Sequence, residues 1–556
     1  MKNVFKFKPI VTTLLTVVFL SGCSLFDLDI NKNPNSPSAA APDLILTQIQ
    51  VDVLSTFAAL EGDLETFNGF MGTQSTSLYG LTSNSYSGTW NSLYTGPLKD
   101  IEGLIAVSQT SPHYLGIAQC MKAYTYSTMV DLWGDVPFTD ASKGDFTEKN
   151  TTPKFDKDVD IYNACFALID QAVANFAKAS PAAVKGDLMY AGSAAKWAKF
   201  ANSLKLKMLI TARLAIPDAA AKIKTILDGG NVIAAADDFT FKFSKDPTSI
   251  RHPWYSGAYT GGEFRHTYIC HQPIVEMLDE EDPRFNFYFR RQTTLILNPL
   301  DPADAGTIPC GRSSNCVYGY LVTSPTVIKR LYTDKGKAYG ATEKAYMAGL
   351  FGRDRGDNTG IPLDGALRLL PGVYPCGGYY DVAVPKIPVA NAAPGGGIFP
   401  ALTSVNIDYY KIEAILKLGY TGDAAVVFKS AIEGHIKKVL DYGMATDAAN
   451  AVRPTQASID AYVNLWLARF NSATTPDAKL AIAFKQLWFS SYGNGFEFYN
   501  AFRRTGLPTT IQEHVLKPFR GYPLRLPYTQ TELTLNPNAA AYKNVAFDVT
   551  PIFWKK

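Results

Sequence analysis

The sequence predicts an all-α dominated fold, in which about four tetratricopeptide-like helix pairs form a scaffold and carry a large loop-rich insert with short helices and strands. Three observations predict it. Apolar residues recur every three or four positions towards both ends of the folded part, short polar or glycine-containing connections join neighbouring helices, and the centre of the chain has few periodic runs. The full tetratricopeptide signature is absent, so the resemblance to that repeat lies in the helix spacing.

Each predicted helix has one apolar stripe. In the clearest case, Trp197, Phe200 and Leu204 recur at intervals of three or four residues and share one face. Ser193 precedes this run and is well placed as an N-cap, because its hydroxyl can satisfy a free backbone N–H group. Similar patterns predict helices near residues 44–60, 90–108, 113–131, 157–178, 193–214, 405–420, 422–441, 456–471 and 475–491.

The N-terminus has the parts of a secretion signal. Several lysines are followed by an apolar stretch over residues 10–20, which is too short to span a bilayer, and then by Leu-Ser-Gly and Cys23. This ending is similar to a bacterial lipobox, whose cysteine receives fatty acyl chains such as palmitate. We expect residues 1–22 to be a cleaved lipoprotein signal peptide and Cys23 to be the lipid anchor. A signal cut elsewhere is the alternative, and it would leave Cys23 without that role.

The boundaries of the mature chain follow from composition. Residues 23–43 contain prolines among Asn, Ser and Ala and predict an extended tether. Roughly 510 residues remain, which are enough for a sizeable core. They are predicted to form a single domain over 44–556, with a helical scaffold over 44–230 and 401–500, a loop-rich insert over 231–400 and a C-terminal extended segment over 501–556.

Charge and composition exclude one class of partner. The net charge is +3, and 19% of the residues are charged, without a basic stripe that would neutralise phosphates. Nucleic acid is therefore not an expected partner. Apolar residues make up 47% of the chain and aromatic residues 12%, as in a globular protein with an excess of Tyr and Phe.

The cysteines suggest one local disulfide. The chain has seven, and an exported protein meets an oxidising compartment. Cys310 and Cys316 lie in a stretch rich in Gly, Pro, Ser and Asn, where a bridge would staple a loop with little core of its own. Cys120 and Cys165 fall inside apolar helical patterns and are expected to be small buried hydrophobic residues.

No enzyme signature stands out. The chain lacks a G-x-S-x-G elbow, an H-E-x-x-H helix, a phosphate-binding glycine loop and paired C-x-x-C motifs. Ser193 and Lys196 match S-x-x-K, but no K-T-G motif accompanies them. The carboxylates of residues 354–364 are hard oxygen ligands suited to calcium, yet the spacing of an EF-hand loop is missing. We therefore expect no catalytic residue, no metal and no cofactor.

Aromatic residues in loops are the strongest candidates for ligand binding. A ring on a loop offers a flat apolar face and often a polar tip, which suit a sugar ring or a peptide side chain. Each ring that covers about 60 Å² of ligand contributes roughly 1.5 kcal/mol, so a micromolar site needs two or three rings and several hydrogen bonds. The alternative is that these rings pack inside the insert. The candidates are Phe70, Tyr79, Tyr86, Trp254, Tyr255, Tyr259, Tyr318 and Tyr320.

Several short motifs are distributed over most of the mature chain. They are Asn33-Pro34-Asn35, AYTYSTMVDLWGDVPFTDA (123–141), WAKFANSLKLKMLITAR (197–213), DPRFNFYF (282–289), FGRDRGDNTGIPLDG with GVYPCGG (351–378), FEFYNAFRRTGLP (496–508) and RLPYTQTE (525–532). Together with the lipobox and the paired helices, they resemble the SusD/RagB family of surface nutrient-binding lipoproteins, especially its SusD-like branch. The motifs are specific for the family and say little about its ligand.

The resemblance implies a function. It implies a lipid-anchored protein that faces outward from the outer membrane, captures a nutrient and delivers it to a SusC-like TonB-dependent transporter. The ligand it implies first is an oligosaccharide, with a peptide as the alternative under the same mechanism. Two other classes stay open: a surface scaffold or adhesin that binds a protein, and, with less support from the motifs, an extracellular hydrolase.

Overall fold

Helices dominate the molecule, which confirms the predicted fold class. The computed structural model describes residues 41–73, 76–143, 150–247, 250–259, 267–292, 350, 352–357, 368–382 and 393–555. The predictions for Cys23, for the Cys310–Cys316 disulfide and for Tyr318 and Tyr320 lie outside these residues.

In the first group of helices, most neighbours in the sequence pack against each other. Its members are α1 (Pro42–Phe67), α2 (Ser87–Thr95), α3 (Pro97–Val107), α4 (Pro112–Trp133), α5 (Asp158–Phe176), α6 (Ala194–Thr211) and α7 (Ala219–Gly229). Helix α1 packs on α3, and each helix from α3 to α6 packs on the next one. Ser193 accepts a hydrogen bond from the backbone N–H of Lys196, which confirms the predicted N-cap.

Short helices occupy the insert, and a second long group follows it. The short ones are α8 (Pro253–Tyr259), α9 (His271–Asp279) and α10 (Phe285–Tyr288). The second group is α11 (Ser404–Leu418), α12 (Ala424–Thr446), α13 (Gln456–Ser472), α14 (Pro476–Ser490) and α15 (Gly495–Thr505), and α16 (Gln530–Leu535) comes later. Side-chain caps begin α11 to α14, from Thr403, Asp423, Thr455 and Thr475, and such caps satisfy N–H groups that a helix leaves free.

Four two-stranded antiparallel ribbons join distant parts of the described chain. Strand β1 (Met71–Thr73) pairs with β5 (Thr267–Ile269), and β4 (Phe239–Lys242) pairs with β8 (Ile398–Leu402). The other two ribbons pair β2 (Val136–Pro137) with β3 (Phe155–Asp156) and β6 (Phe289–Arg290) with β7 (Leu370–Pro371). The β1–β5 ribbon therefore fixes the end of α1 against the insert.

In the described part of the chain, the helices enclose two large clusters of buried apolar residues. In the first core, the rings of Phe57, Tyr124 and Phe239 meet edge to face with centroids 5.7 and 5.8 Å apart. The second core joins α12 to α14 with the insert and includes Phe428 and Phe470, whose stacked rings lie 4.8 Å apart. Each such buried ring contributes about 1.5–3 kcal/mol relative to exposure, so the two cores hold the insert on the scaffold.

The buried face of α1 makes it a core helix. Among the described residues, α1 is the one helix whose length and composition would suit a membrane span. Leu46, Ile49, Val53 and Phe57 are nevertheless fully buried in the first core. The core helix of a folded domain can be as long and as apolar as a membrane span, because its packed side is apolar.

The C-terminal segment closes over the end of α4. Asp131 accepts a hydrogen bond from the indole N–H of Trp554 at 3.0 Å, and the Nη1 of Arg525 donates to the carbonyl of Trp133 at 2.8 Å. Gly134 follows with a φ of +83°, and a Cβ there would lie 2.7 Å from a guanidinium nitrogen of Arg525. Only glycine suits this backbone and leaves room for the arginine.

The core also holds a pair of acidic residues on α1. Glu61 and Glu65 are one helical turn apart and fully or almost fully buried, and Glu61 accepts a hydrogen bond from the backbone N–H of Gly493 at 3.1 Å. Burial raises the pKa of Glu65 to about 8, and burial together with the charge of Glu65 raises the pKa of Glu61 as well. At neutral pH the pair therefore retains a proton.

All four cysteines that the structure describes, Cys120, Cys165, Cys270 and Cys376, are free and buried. This confirms the expectation for Cys120 and Cys165. Burial raises the pKa of each of these thiols, so they pack as neutral, apolar groups.

Candidate functional site

The structure corrects the expectation that the loop aromatics are exposed. The six predicted rings that it describes are buried, with no more than 6% of any residue exposed: Phe70, Tyr79, Tyr86, Trp254, Tyr255 and Tyr259. The glycine-rich stretches that carry them pack closely, and a Cβ on Gly378 would lie only 2.6 Å from the ring of Tyr259. Glycine in these segments allows the rings to pack closely inside the protein and does not expose them to solvent.

Most of these rings satisfy their polar tips inside the protein. The hydroxyl of Tyr255 donates to the carbonyl of Ala393 at 3.1 Å, and that of Tyr259 donates to the carbonyl of Pro371 at 2.6 Å. Phe70 has no polar tip and stacks on Tyr492 with centroids 4.8 Å apart. Rings held in this way belong to the second core.

Tyr79 differs, because it lines an open cavity of 490 Å³. We call this cavity the Tyr79 pocket. Its wall comes from three separate parts of the chain: the turn after β1, the segment around Arg355, and the end of α15 with the segment that follows it. The residues that line it include Tyr79, Arg355, Phe502, His514, Arg520 and Tyr522.

The backbone of Tyr79 is held in an uncommon conformation. Tyr79 follows a 3₁₀ turn, Thr76–Leu78, and has a φ of +56°, which residues other than glycine seldom adopt. Arg355 holds the ring in place, since its Nη2 donates to the Tyr79 hydroxyl at 2.9 Å. The backbone N–H of Phe519 donates to the carbonyl of Leu78 at 2.9 Å and ties the turn to the far wall. Such local strain persists only where surrounding contacts fix it.

Arg355 connects the three parts of the wall. Its Nη2 also donates to the carbonyl of Phe67 at 2.7 Å, and its Nη1 donates to the carbonyl of Gln512 at 3.0 Å. Its backbone carbonyl accepts a hydrogen bond from Val515 at 3.0 Å. The side chain crosses Gly69, where a Cβ would lie 3.0 Å from its Cδ and Nε atoms. One arginine therefore joins the end of α1 to the segment after α15.

Aromatic rings line the rest of the pocket. The ring of Tyr79 contacts His514 edge to face with centroids 4.8 Å apart and Tyr522 at 5.9 Å, while Tyr522 also packs on Phe502 at 5.1 Å. His514 and Tyr522 are half-buried. Burial, and then the charge of Arg355, lower the pKa of His514 to about 3, so its imidazole is neutral at physiological pH.

Several polar atoms of the pocket residues lack a hydrogen-bond partner among the residues that the structure describes. They are the hydroxyl of Tyr522, the Nε2 of His514 and the Nε of Arg355. Buried polar atoms are normally paired, and unpaired ones at an open cavity are typical of a site that a ligand completes. The wall of the pocket thus combines apolar ring surface with three buried polar atoms that lack a partner within the described residues.

A second cavity of 290 Å³ has a different character. It lies beside Glu276, Glu280, Trp466, Arg469 and Lys485. Glu280 accepts from the indole of Trp466 at 3.0 Å and from Arg469 at 2.5 Å, and Lys485 pairs with Glu276 at 2.6 Å. Burial raises the pKa of Glu280 to about 7 and lowers that of Lys485. Its charged groups face one another, so the Tyr79 pocket is the better candidate site.

The acidic stretch considered for calcium is described only in part. Asp354 accepts a hydrogen bond from the side chain of Gln512 at 3.1 Å, and Asp357 lies 3.6 Å from the guanidinium of Arg353. Within the described part of the chain, no group of three or more His, Cys, Asp or Glu side chains has an arrangement suited to a metal ion. These two carboxylates contribute instead to the structure around Arg355.

Most residues of the Tyr79 pocket carry no clear signal in the sequence. Arg355, His514, Arg520 and Tyr522 were not among the predicted site residues, although Arg520 and Tyr522 flank a glycine in a segment without helical periodicity. That local pattern is a weak signal by itself. The pocket depends on the approach of Tyr79 to segments more than 270 residues away, as its bond to Arg355 shows.

A family model matches residues 34–308, and its description is a SusD-like protein, "starch-binding associating with outer membrane". No curated protein matches the sequence.

Solved structures match the fold over nearly its whole length. A SusD homologue from Bacteroides fragilis is 16% identical, covers 93% of this chain and 99% of its own, and has a TM-score of 0.66. A SusD/RagB family protein from Bacteroides thetaiotaomicron is 18% identical with the same coverage and a TM-score of 0.67. A chitin-binding SusD homologue from Flavobacterium johnsoniae is 15% identical, covers 92% and 98%, and has a TM-score of 0.64.

Proposed function

Because this chain belongs to the SusD/RagB family, whose model describes starch-binding proteins associated with the outer membrane, we propose that it captures oligosaccharides at the Tyr79 pocket. The pocket is the observation that carries the proposal. Its rings, among them Tyr79, Tyr522 and Phe502, offer apolar surface for a sugar face, and the hydroxyl of Tyr522 is unpaired within the described structure. A chitin-binding relative with the same fold supports a carbohydrate as the ligand.

The proposed role is capture without catalysis. A binding protein needs a pocket that completes the hydrogen bonds of its ligand, and it needs no reacting group. Incubation of the protein with each bound glycan, followed by chromatography of the products, should recover the glycan unchanged. Release of shorter products that grows with protein concentration would support the hydrolase alternative.

Anchoring and delivery complete the proposal. Acylation of Cys23 would hold the domain at the outer membrane, because each buried methylene of an acyl chain contributes roughly 0.8 kcal/mol. A SusC-like TonB-dependent transporter would then receive the ligand, and the anchor would keep the two proteins at a high effective concentration. Mass spectrometry of the mature N-terminus tests acylation, and co-purification with a transporter encoded by a neighbouring gene tests the partnership.

Calorimetric titration of the full chain in mild detergent tests capture at this pocket. The ligand panel contains neutral and charged oligosaccharides and short peptides. We expect micromolar binding of a saccharide, which weakens at least tenfold in a Tyr522→Ala variant because the ring and its unpaired hydroxyl are lost. Tyr420→Ala is the matched control, since Tyr420 is also half-buried but lies between α11 and α12 and does not line the pocket.

The outcomes separate the alternatives. Binding that persists in Tyr522→Ala would keep the function but move the site, with Tyr318 and Tyr320 as the next predicted contacts. Binding of peptides alone would keep the mechanism and change the ligand class. Absence of binding across the whole panel would overturn capture of these ligands and favour a scaffold or adhesin.

A further inference from the structure

The charge of Arg355 has no counter-ion within the described residues. The residue is 8% exposed, and every acceptor of its side-chain hydrogen bonds is neutral: the carbonyls of Phe67 and Gln512 and the hydroxyl of Tyr79. These bonds use three of the five N–H groups of a guanidinium. Buried charges in proteins are normally paired with opposite charges, because a charge without a partner loses its hydration without compensation.

The other charged groups at the pocket do not offset this charge. The pocket wall includes Arg520 and Glu513, both of which are exposed. Arg520 lies 3.9 Å from Asp548, so its own charge is only loosely paired. His514 is neutral, as its low pKa requires. Two arginines and one exposed glutamate leave the described wall of the pocket with a net positive charge.

We propose that the Tyr79 pocket selects a ligand that carries a carboxylate, and this inference rests on the proposed capture function. A carboxylate would supply the missing counter-charge for Arg355, would add to the loose pairing of Arg520, and would form charge-assisted hydrogen bonds with guanidinium N–H groups. The rings of Tyr79 and Tyr522 would hold the apolar part of the same ligand. An acidic sugar such as a uronate and the free C-terminus of a short peptide share this chemistry.

Matched ligand pairs test the proposal by calorimetry on the full chain. The first pair is a galacturonate trimer and its fully methyl-esterified form, and the second is a tripeptide with a free or an amidated C-terminus. The charged member of at least one pair should bind at least tenfold more tightly than its neutral counterpart, and the pair that shows the difference identifies the source of the carboxylate. The difference should shrink as salt concentration rises.

Three variants connect the preference to the pocket. Arg355→Gln should abolish the difference between charged and neutral ligands, while Arg520→Gln should reduce it about threefold, because Arg520 is exposed and its charge is better screened. Arg453→Gln should change nothing, since Arg453 is a partly exposed arginine paired with Asp441 outside the pocket. If Arg355→Gln does not fold, Arg520→Gln and the ligand pairs still decide the matter.

Two results would overturn the inference, and they differ in what they imply for the function. Equal affinity for charged and neutral members of both pairs would remove the carboxylate preference and leave oligosaccharide capture intact. A preference that persists unchanged in Arg520→Gln and in folded Arg355→Gln would place the carboxylate site elsewhere. If no ligand binds, the capture function and this inference both fail.

Discussion

The second core and the Tyr79 pocket are both rich in aromatic residues, yet they differ in whether the polar atoms of these residues have hydrogen-bond partners. In the core, the hydroxyls of Tyr255 and Tyr259 donate to backbone carbonyls of the same protein. At the pocket, the hydroxyl of Tyr522 and the Nε2 of His514 lack a partner within the described residues. The second core and the pocket therefore differ in the pairing of these polar tips, although the first core also holds unpaired ones within the described residues, such as the indole N–H of Trp90.

The largest expected effect is on the core side of this comparison. Trp254→Ala should lower the free energy of unfolding by about 3–5 kcal/mol, because it removes a buried ring and leaves a cavity. Denaturant unfolding measures the loss, and Phe519→Ala, at a residue 72% exposed, should cost less than about 0.5 kcal/mol. The folded fraction of Trp254→Ala should still bind ligand. A small loss of stability with a complete loss of binding would place Trp254 in the site.

The carboxyl pair on α1 is an exception within the core. The pKa of Glu65 is about 8 in the folded protein against an ordinary value of 4.5, so the folded state retains a proton that the unfolded state releases between these pH values. Stability should fall as pH rises through this window. Glu65→Gln should flatten the decline and gain about 4 kcal/mol at pH 8 relative to pH 4.5.

Thermal unfolding across this pH range measures the effect of Glu65→Gln. The control is Glu433→Gln on α12, where the glutamate is partly exposed and pairs with Lys429. Its profile should run parallel to that of the parent protein. A Glu65→Gln profile that also stays parallel would mean that Glu65 does not retain a proton in the folded state.

On the pocket side, Tyr522→Ala should weaken ligand binding at least tenfold, which corresponds to about 1.4 kcal/mol. It should cost less stability than Trp254→Ala because Tyr522 is only half-buried. Titration and unfolding of the same sample measure both quantities. If Tyr522→Ala lost as much stability as the core variant and kept its affinity, the two regions would not differ in the way described.

A smaller effect should follow from a change behind the pocket. Gly356 has a φ of +78°, and a Cβ there would lie 2.7 Å from the Cδ2 of His514. Gly356→Ala should therefore cost about 1 kcal/mol of stability and displace the imidazole, with a several-fold loss of affinity. The matched control is Gly230→Ala, which has a φ of +63° but no atom within 4 Å of the added Cβ. It should lose stability and keep its affinity.

The smallest expected effect concerns pH. Because the pKa of His514 is about 3, its protonation should not alter ligand affinity between pH 5 and pH 8. Titrations across that range with a neutral ligand check this. An affinity change with a midpoint near pH 6.5 that disappears in His514→Gln would show that the imidazole is more accessible to protons than the structure indicates.

The helices were predictable because their signal is local. The segment predicted over 456–471 is a helix at Gln456–Ser472, and that predicted over 475–491 is Pro476–Ser490, since a stripe of period 3.6 and a threonine cap lie within each sequence. Burial of the loop rings was not predictable in this way. Trp254 is buried by Tyr492 and its neighbours, a contact between residues that are far apart in the chain.

The site was predictable only through Tyr79. Its loop position made it a candidate, but nothing local indicates that Arg355 binds its hydroxyl or that His514 contacts its ring. Long-range contacts of this kind depend on the arrangement of α1, the insert and the segment after α15. A single sequence shows the residue types and leaves their juxtaposition undetermined.

The contact between Trp554 and Asp131 has a consequence for the order of folding. The two residues are separated by 423 positions, and Ile552 and Trp554 belong to the same buried cluster as α1 and α4. A chain that emerges from its N-terminus makes the early helices long before the segment that covers them. The first core therefore closes late, and until then its apolar surface remains accessible to chaperones.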